Sequence, residues 1–398
     1  MRIAFYGGCF NPPHLGHLAA VKEAYEALQP DRFLILPDRQ PPHKKAIPGE
    51  PGPEERLELC RKAFGGFDWA EVSDLSFSRE GPCYMADTVR LLRQQYPGDD
   101  LILVLGADML AGIEDWHDAA SLLNDLHLAI LDRDEIPRST LEEVSSRLHQ
   151  RFGARVDFIP NDPVAISSSQ VRALLPQRKG EDLLPASVYR EIIRRRWYGA
   201  QVSLPWLRDQ VYAMLKPSRI PHVAGCEKAA AALAARWGAD PEIAAEAGIL
   251  HDMTKRWTAE EQYRFCREQG IELDACETES PQLLHAKTGA REAKLRFGAS
   301  DEICQAIRWH TTGKPEMSLL EKILYLADVI EENRSYQGVD ELRKLCFEDL
   351  DEAMAYATRS SLEHVRESGN QIHHDTLDAY RWYSAADNRR RNSNVISR

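Results

Sequence analysis

The sequence predicts two domains of different class, an α/β domain with a parallel sheet followed by an all-α domain, and three observations carry that prediction. At 398 residues the chain exceeds the size at which one core keeps growing. Its first half alternates short apolar runs with amphipathic stretches, the pattern of a parallel sheet covered on both faces. From about Ser203 onward the strand signal stops and Ala-, Leu- and Glu-rich helical periods take over.

Taken in order, "RIAFYGG", "RFLILPD", "AEVSDLSF", "LILVLGAD", "LHLAILDR" and "ARVDFIP" read as strands, and Leu18 to Leu28, Arg56 to Phe64 and Ala86 to Tyr96 as helices between them. The junction falls in "RRRWYGAQVSLP", which places the domains at residues 1–199 and 203–387. In the second half "CEKAAAALAARWG", "PEIAAEAGILHD", "LLEKILYLADVIEE" and "FEDLDEAMAYATRSSLEHV" read as helices. The polar, basic end "NRRRNSNVISR" reads as a frayed tail.

Composition narrows the function. A net charge of −12 argues against a protein that grips nucleic acid over a broad surface, because phosphate contacts need clustered Lys and Arg. The eight cysteines form no Cys-x-x-Cys pair, which fits reduced thiols in a cytosolic protein. Met1 runs straight into the first strand with no signal-peptide pattern, and no apolar run approaches about 20 residues, so neither secretion nor membrane spanning is expected.

The stretch "FYGGCFNPPHLGH" sets Gly7 and Gly8 at a strand end and puts His14 and His17 three residues apart at the start of the next helix. In a parallel sheet, ligands bind beyond the carboxyl ends of the strands, where a glycine turn and a helix N-terminus bring N–H groups to an anion. Pro12 and Pro13 stiffen the turn, and Gly16 leaves room for a bulky group. Two imidazoles facing one spot suit a phosphate chain, since each ring can donate to oxygens gaining charge.

"GGCFNPPHLGH" resembles the Gly-Gly-x-Phe-x-Pro-x-His-x-Gly-His signature of the nucleotidyltransferase superfamily, and "ISSSQVR" (Ile166 to Arg172) resembles its second signature. Over residues 1 to about 199 the chain is most similar to the bacterial nicotinate mononucleotide adenylyltransferases, through "PPHK", "YMADTV", "GADML", Trp116 and "LDR". The resemblance implies a Rossmann-like fold and attack of the mononucleotide phosphate on the α-phosphorus of ATP, with magnesium, giving dinucleotide and pyrophosphate. It implies that His14, His17 and Arg172 stabilise the transferring charge, and that Gly7, Gly8, Cys9, Phe10, Gly106, Asp108, Ile166, Ser167 and Ser168 hold ATP. It further implies that Lys44, Met85, Trp116 and Arg133 face the mononucleotide, Trp116 by stacking on the pyridine ring. Two positions depart from the family: Cys9 replaces Thr or Ser, and Met85 stands where Thr is common, which bears on the choice between nicotinate and nicotinamide.

In the second half His222, the pair His251–Asp252, His285, His310 and Asp328 are spread over successive predicted helices, and these residue types are first-row transition-metal ligands. The His–Asp pair ends the apolar stretch "GILHDMTK", where a carboxylate needs a cation or strong hydrogen bonds. Helical phase alone also allows Asp328 a wet face shared with Glu331 and Glu332. The order of residues resembles the HD-domain metallophosphohydrolases, and "SRIPHVAGC", "LLHAKTGA", "IRWHTTG" and "LADVIEENR" resemble the bacterial HD-type symmetrical diadenosine tetraphosphatases. That resemblance implies two iron or manganese ions bridged by Asp252, one completed by His222, His251 and Asp328 and the other by His285 and His310. Lys255 and Arg334 would hold the polyphosphate, and His364, His373 and His374 fall outside the pattern as surface or tail residues.

The expectation is a bifunctional enzyme acting on ATP, nicotinate mononucleotide and diadenosine tetraphosphate. The alternatives are another small-molecule nucleotidyltransferase, acting on nicotinamide mononucleotide or pantetheine phosphate, with an HD hydrolase of other nucleotides, and a non-catalytic HD module that scaffolds oligomers. The oligomeric state is not legible in the sequence.

Overall fold

The computed structural model describes residues 1–42, 45–131, 136–162 and 164–396, with side chains to residue 385. It divides into two compact units, Met1–Gln201 and Val202–Arg398.

The first unit is built on six strands, β1 (Arg2–Gly8), β2 (Arg32–Pro37), β3 (Ala70–Val72), β4 (Asp100–Gly106), β5 (His127–Leu131) and β6 (Arg155–Ile159). They form one sheet in the order β3-β2-β1-β4-β5-β6, and all five pairings are parallel. Helices α1 (Leu15–Leu28), α2 (Pro53–Phe64), α3 (Met85–Gln95), α4 (Ala107–Ala111), α5 (Ala119–Asp125), α6 (Arg138–Phe152), α7 (Ser168–Leu174) and α8 (Ala186–Arg195) fill the connections. Central strands are continuous apolar runs because both faces are covered: Ile3, Phe5, Leu101, Leu103, Leu128 and Ile130 are all fully buried in one core with Leu92, Leu110 and Leu123. The strand order reverses between β1 and β4, which opens a crevice at their carboxyl ends. Only Ala70–Val72 of "AEVSDLSF" pairs as a strand; the rest turns into a short 3-10 segment at Leu75–Ser78.

The second unit is all helical: α9 (Leu204–Tyr212), α10 (Ile220–Trp237), α11 (Pro241–Leu250), α12 (Ala259–Gln269), α13 (Ala275–Glu279), α14 (Leu284–Phe297), α15 (Asp301–Trp309), α16 (Leu319–Ile330), α17 (Val339–Glu348), α18 (Leu350–Glu367) and α19 (His374–Ile396). Starts are set by side-chain caps, Asp240 for α11, Ser300 for α15 and Ser318 for α16. Small residues let α10 and α11 approach closely; a Cβ at Gly248 would lie 2.8 Å from the Glu227 Cα. The single helix expected over "FEDLDEAMAYATRSSLEHV" is broken at Asp349, whose extended backbone and side chain cap α18. The tail expected to fray continues as helix to Ile396, since no glycine or proline follows Gly369 to stop it. No helix among the described residues is long and apolar enough to cross a membrane.

Candidate functional site

In the first unit α1 begins three residues earlier than its periodicity suggests, so His14 is its N-cap residue and His17 lies in its first turn. The His14 N–H donates to His17 Nδ1 at 3.1 Å, which leaves the proton of a neutral His17 on Nε2. The two rings lie 3.7 Å apart centre to centre, and a Cβ at Gly16 would come within 3.1 Å of the His14 ring. A small cleft is lined here by Tyr6, His14, His17, Gly106, Asn161 and Ile166, among others. Gly7, Gly8 and Cys9 continue β1 into the same loop, and Phe10, fully covered at positive φ, stacks edge-on to Phe64.

The segment Ile166–Arg172 is fastened to that loop. Ser167 caps α7 by accepting from the Gln170 N–H, Ser168 Oγ donates to the Pro12 carbonyl at 2.9 Å, and Arg172 donates to the Asn11 carbonyl at 2.6 Å. Asp108 is exposed in the first turn of α4, directly after Gly106. Met85 and Trp116 pack partly buried against the same apolar core; a Cβ on Gly7 would lie 2.7 Å from the Met85 terminal methyl. Their neighbours Tyr84 and His117 also meet, with ring centroids 4.4 Å apart, so the start of α3 and the segment after α4 form one wall. Lys44 and Arg133 lie outside the described residues.

In the second unit five helices bring six side chains together. Asp252 is completely covered. Its Oδ2 lies 3.8 Å from His222 Nε2 and 3.5 Å from His251 Nε2, and its Oδ1 lies 3.3 Å from His285 Nε2 and 3.8 Å from His310 Nε2. One carboxylate thus faces two pairs of imidazoles, with Asp328 Oδ1 3.0 Å from His222 Nε2 on the first side.

Helix ends fix the rings. His251 and His310 are the C-cap residues of α11 and α15, where carbonyls lack helical partners, and each donates from Nδ1 to one of them at 2.7 Å, Gly248 and Ile307. His285 does the same toward the Gln282 carbonyl at 2.7 Å. A carbonyl oxygen only accepts, so all three rings carry their neutral proton on Nδ1 and turn Nε2 lone pairs toward Asp252. Burial above all holds these imidazoles below the ordinary histidine range, His310 down to about 4, so they are neutral at pH 7. Burial pushes Asp252 upward, but His251, Lys255, His285 and His310 outweigh it and hold the carboxyl well below the usual range.

These donors need cations. His222 Nε2 and His251 Nε2 stand 3.3 Å apart and His285 Nε2 and His310 Nε2 3.1 Å apart, while buried Asp252 Oδ1 has no hydrogen-bond partner among the described residues. Lys255 Nζ, 3.0 Å from His285 Nε2, and the Thr311 hydroxyl meet part of that demand on the second side. Imidazole and carboxylate donors so arranged suit first-row divalent ions. Three cationic side chains surround them: Lys255, Arg334, which donates to Asp328 Oδ1 at 2.7 Å, and Arg219, which grips Asp252 Oδ2 through Nε at 2.5 Å.

Comparison with known proteins agrees with this division. Residues 5–174 match the cytidylyltransferase-like family and residues 219–333 the HD domain. A probable nicotinate-nucleotide adenylyltransferase of Carboxydothermus hydrogenoformans is 30% identical, over 50% of this chain and 98% of its own length. A symmetrical bis(5'-nucleosyl)-tetraphosphatase of Bacillus subtilis is 36% identical, over 44% of this chain and 96% of its own. The chain belongs to both families. An HD superfamily hydrolase structure from Clostridium acetobutylicum, described as involved in NAD metabolism, aligns over 47% of this chain and 100% of its own at 35% identity and a TM-score of 0.45.

Sequence reasoning missed several residues around both sites. In the nucleotidyltransferase unit, buried Arg56 donates to the carbonyls of Cys9, Asp38 and Arg39 and so ties the β1 loop to the end of β2, and the Tyr198 hydroxyl donates to Asn11 Oδ1. In the HD unit, Arg219 was visible only as part of "SRIPH". Glu331 is not on a wet face with Glu332: it is 2% exposed, 3.1 Å from His222 Nδ1. His373 is likewise not a surface residue; it is buried, 2.8 Å from Asp274 Oδ2, while its neighbour His374 is exposed.

Proposed function

We propose that the chain is a bifunctional cytosolic enzyme that transfers the adenylyl group of ATP to nicotinate mononucleotide, releasing pyrophosphate, and that hydrolyses diadenosine tetraphosphate symmetrically to two ADP. One observation supports the first half most: two separate segments, Gly7–His17 and Ile166–Arg172, are bonded into one loop that presents a helix N-terminus, two imidazoles and a guanidinium at a strand-order reversal. No group of the enzyme need be attacked. His14, His17 and Arg172 would hold an ATP triphosphate, carried with Mg2+, in line with the acceptor phosphate and donate to the oxygens that gain charge. Met85 and Trp116 offer the pyridine an apolar wall without a hydroxyl.

The second half rests on Asp252, which faces two imidazole pairs from a fully covered position. His222, His251 and Asp328 would hold one iron or manganese ion, His285 and His310 the other, with Asp252 shared. Ions bound there supply Lewis-acid charge that makes water nucleophilic and offsets charge at phosphorus. Arg219, Lys255 and Arg334 would receive the phosphate chain and keep its anhydride oxygens oriented.

The test is product chromatography of the full chain supplied with ATP, Mg2+ and nicotinate mononucleotide, and separately with diadenosine tetraphosphate and Mn2+. Deamido-NAD with pyrophosphate, and ADP as sole nucleotide product, support the reading. AMP with ATP from the tetraphosphate would contradict the second half.

A further inference from the structure

We infer that Glu331 is a positioning residue for the HD site, and that through His222 it makes the place ringed by His222, His251 and Asp328 the more firmly held of the two cation positions. The inference rests on the metal reading above.

The four imidazoles are not fixed alike. His251, His285 and His310 each spend Nδ1 on a main-chain carbonyl three residues back, an acceptor that their own chain segment provides. His222 sits in the first turn of α10. Its Nδ1 is met instead by Glu331 Oε1 from 109 residues away, one residue past the end of α16. Only this ring among the four has a carboxylate behind it, and a carboxylate on Nδ1 raises the donor strength of Nε2.

The chain is shaped to deliver that carboxylate. Glu331 Oε2 accepts from the Asn333 N–H at 2.7 Å and from Asn333 Nδ2 at 2.8 Å, and the same Nδ2 donates to the Pro221 carbonyl next to His222 at 3.0 Å. Arg343 donates to the carbonyls of Ile330, Glu331 and Arg334, each at 2.8 Å, and so fixes the turn. Gly225, one turn after His222, makes the room: a Cβ there would collide with Glu331 Oε2. His222 therefore lies between Glu331 at Nδ1 and Asp328 at Nε2. Both positions have cationic neighbours, Arg334 and Arg219 on the first and Lys255 on the second, so the carboxylate behind His222 is what sets the first apart.

The experiment is Mn2+ titration of the full-length chain, stripped with chelator, read by metal analysis after gel filtration and by electron paramagnetic resonance. Wild type should bind two ions in distinguishable steps. Glu331→Gln should weaken the tighter step by about 10–100-fold, the usual scale for losing such a partner, and a loss confined to the weaker step would contradict the inference. Glu331→Asp should recover part of that loss, and Asn333→Ala, which leaves the carboxylate but frees it, should give a smaller loss in the same step. Excess Mn2+ should restore diadenosine tetraphosphate hydrolysis by Glu331→Gln, a rescue that a misfolded unit would not show. Two unchanged steps in Glu331→Gln and Asn333→Ala, or hydrolysis that excess Mn2+ does not restore in any variant, would overturn the inference and leave the metal reading standing. A wild type that binds no ion would overturn both.

Discussion

The two sites solve opposite electrostatic problems. The loop at the ends of β1 and β4 offers N–H groups, hydroxyls and imidazoles, which suit negative charge, and spends its buried cation, Arg56, on three carbonyls. The helical site already owns buried negative charge in Asp252 and Glu331, and is built to receive positive charge. The first is assembled from two short segments, and the second from single residues on helices spread from Arg219 to Arg334. The anion-suited groups thus sit on a loop at the carboxyl ends of the central strands, whereas the cation-suited groups are walled off, with every ring fixed from behind.

The sharpest way to break the comparison is to remove the shared carboxylate. Asp252→Ala should lose stable binding of both ions and cut tetraphosphate hydrolysis by more than the ~10²–10³-fold typical of one electrostatic contributor, as measured by metal analysis and phosphate-chain assay. Its adenylyl transfer should stay within a few-fold of wild type. Next in size is His17→Ala: loss of a donor that acts on developing charge should lower kcat by about 10²–10³-fold with little change in KM for the mononucleotide. A rise in KM alone, seen in steady-state kinetics, would make His17 a ground-state binder.

Legibility in the sequence followed the same division. "GGCFNPPHLGH" and "ISSSQVR" are each contiguous, so their residues could be read together, and the apolar runs of β1, β2, β4 and β5 were plain because these strands are buried on both faces. The six HD residues were legible as types in order. What periodicity could not give was partnership at a distance: Glu331 looked like one of two surface glutamates until α10 came against the end of α16, and Arg56 and Tyr198 carry no local signal that their partners are Cys9 and Asn11. His373 carries no local signal either, since its partner Asp274 lies at the start of α13, about a hundred residues away.

A smaller effect separates the units by pH. Burial holds His310 near 4, and His251 and His285 below the ordinary value of about 6.5. In chelator-stripped protein the unfolded chain therefore binds more protons than the folded one across that interval. The stability these neutral rings contribute is intact above about 6.5 and lost as pH falls toward 4. Thermal unfolding of the stripped chain should show the helical unit's transition falling in that window, and a transition flat from pH 7 to 4.5 would argue against neutral buried rings. Smallest of all is Met85→Thr, which restores a hydroxyl beside Gly7: the efficiency ratio of nicotinate to nicotinamide mononucleotide should rise a few-fold, and an unchanged ratio would remove Met85 from pyridine selection.

The proposed function requires two active sites on one chain that work independently. It is tested most directly by a crossed assay in which His17→Ala and Asp252→Ala are each given both substrate sets and the products are resolved chromatographically. His17→Ala should still convert diadenosine tetraphosphate to ADP at the wild-type rate while dinucleotide synthesis collapses, and Asp252→Ala should show the reverse. Loss of both reactions in either soluble, folded variant would contradict it.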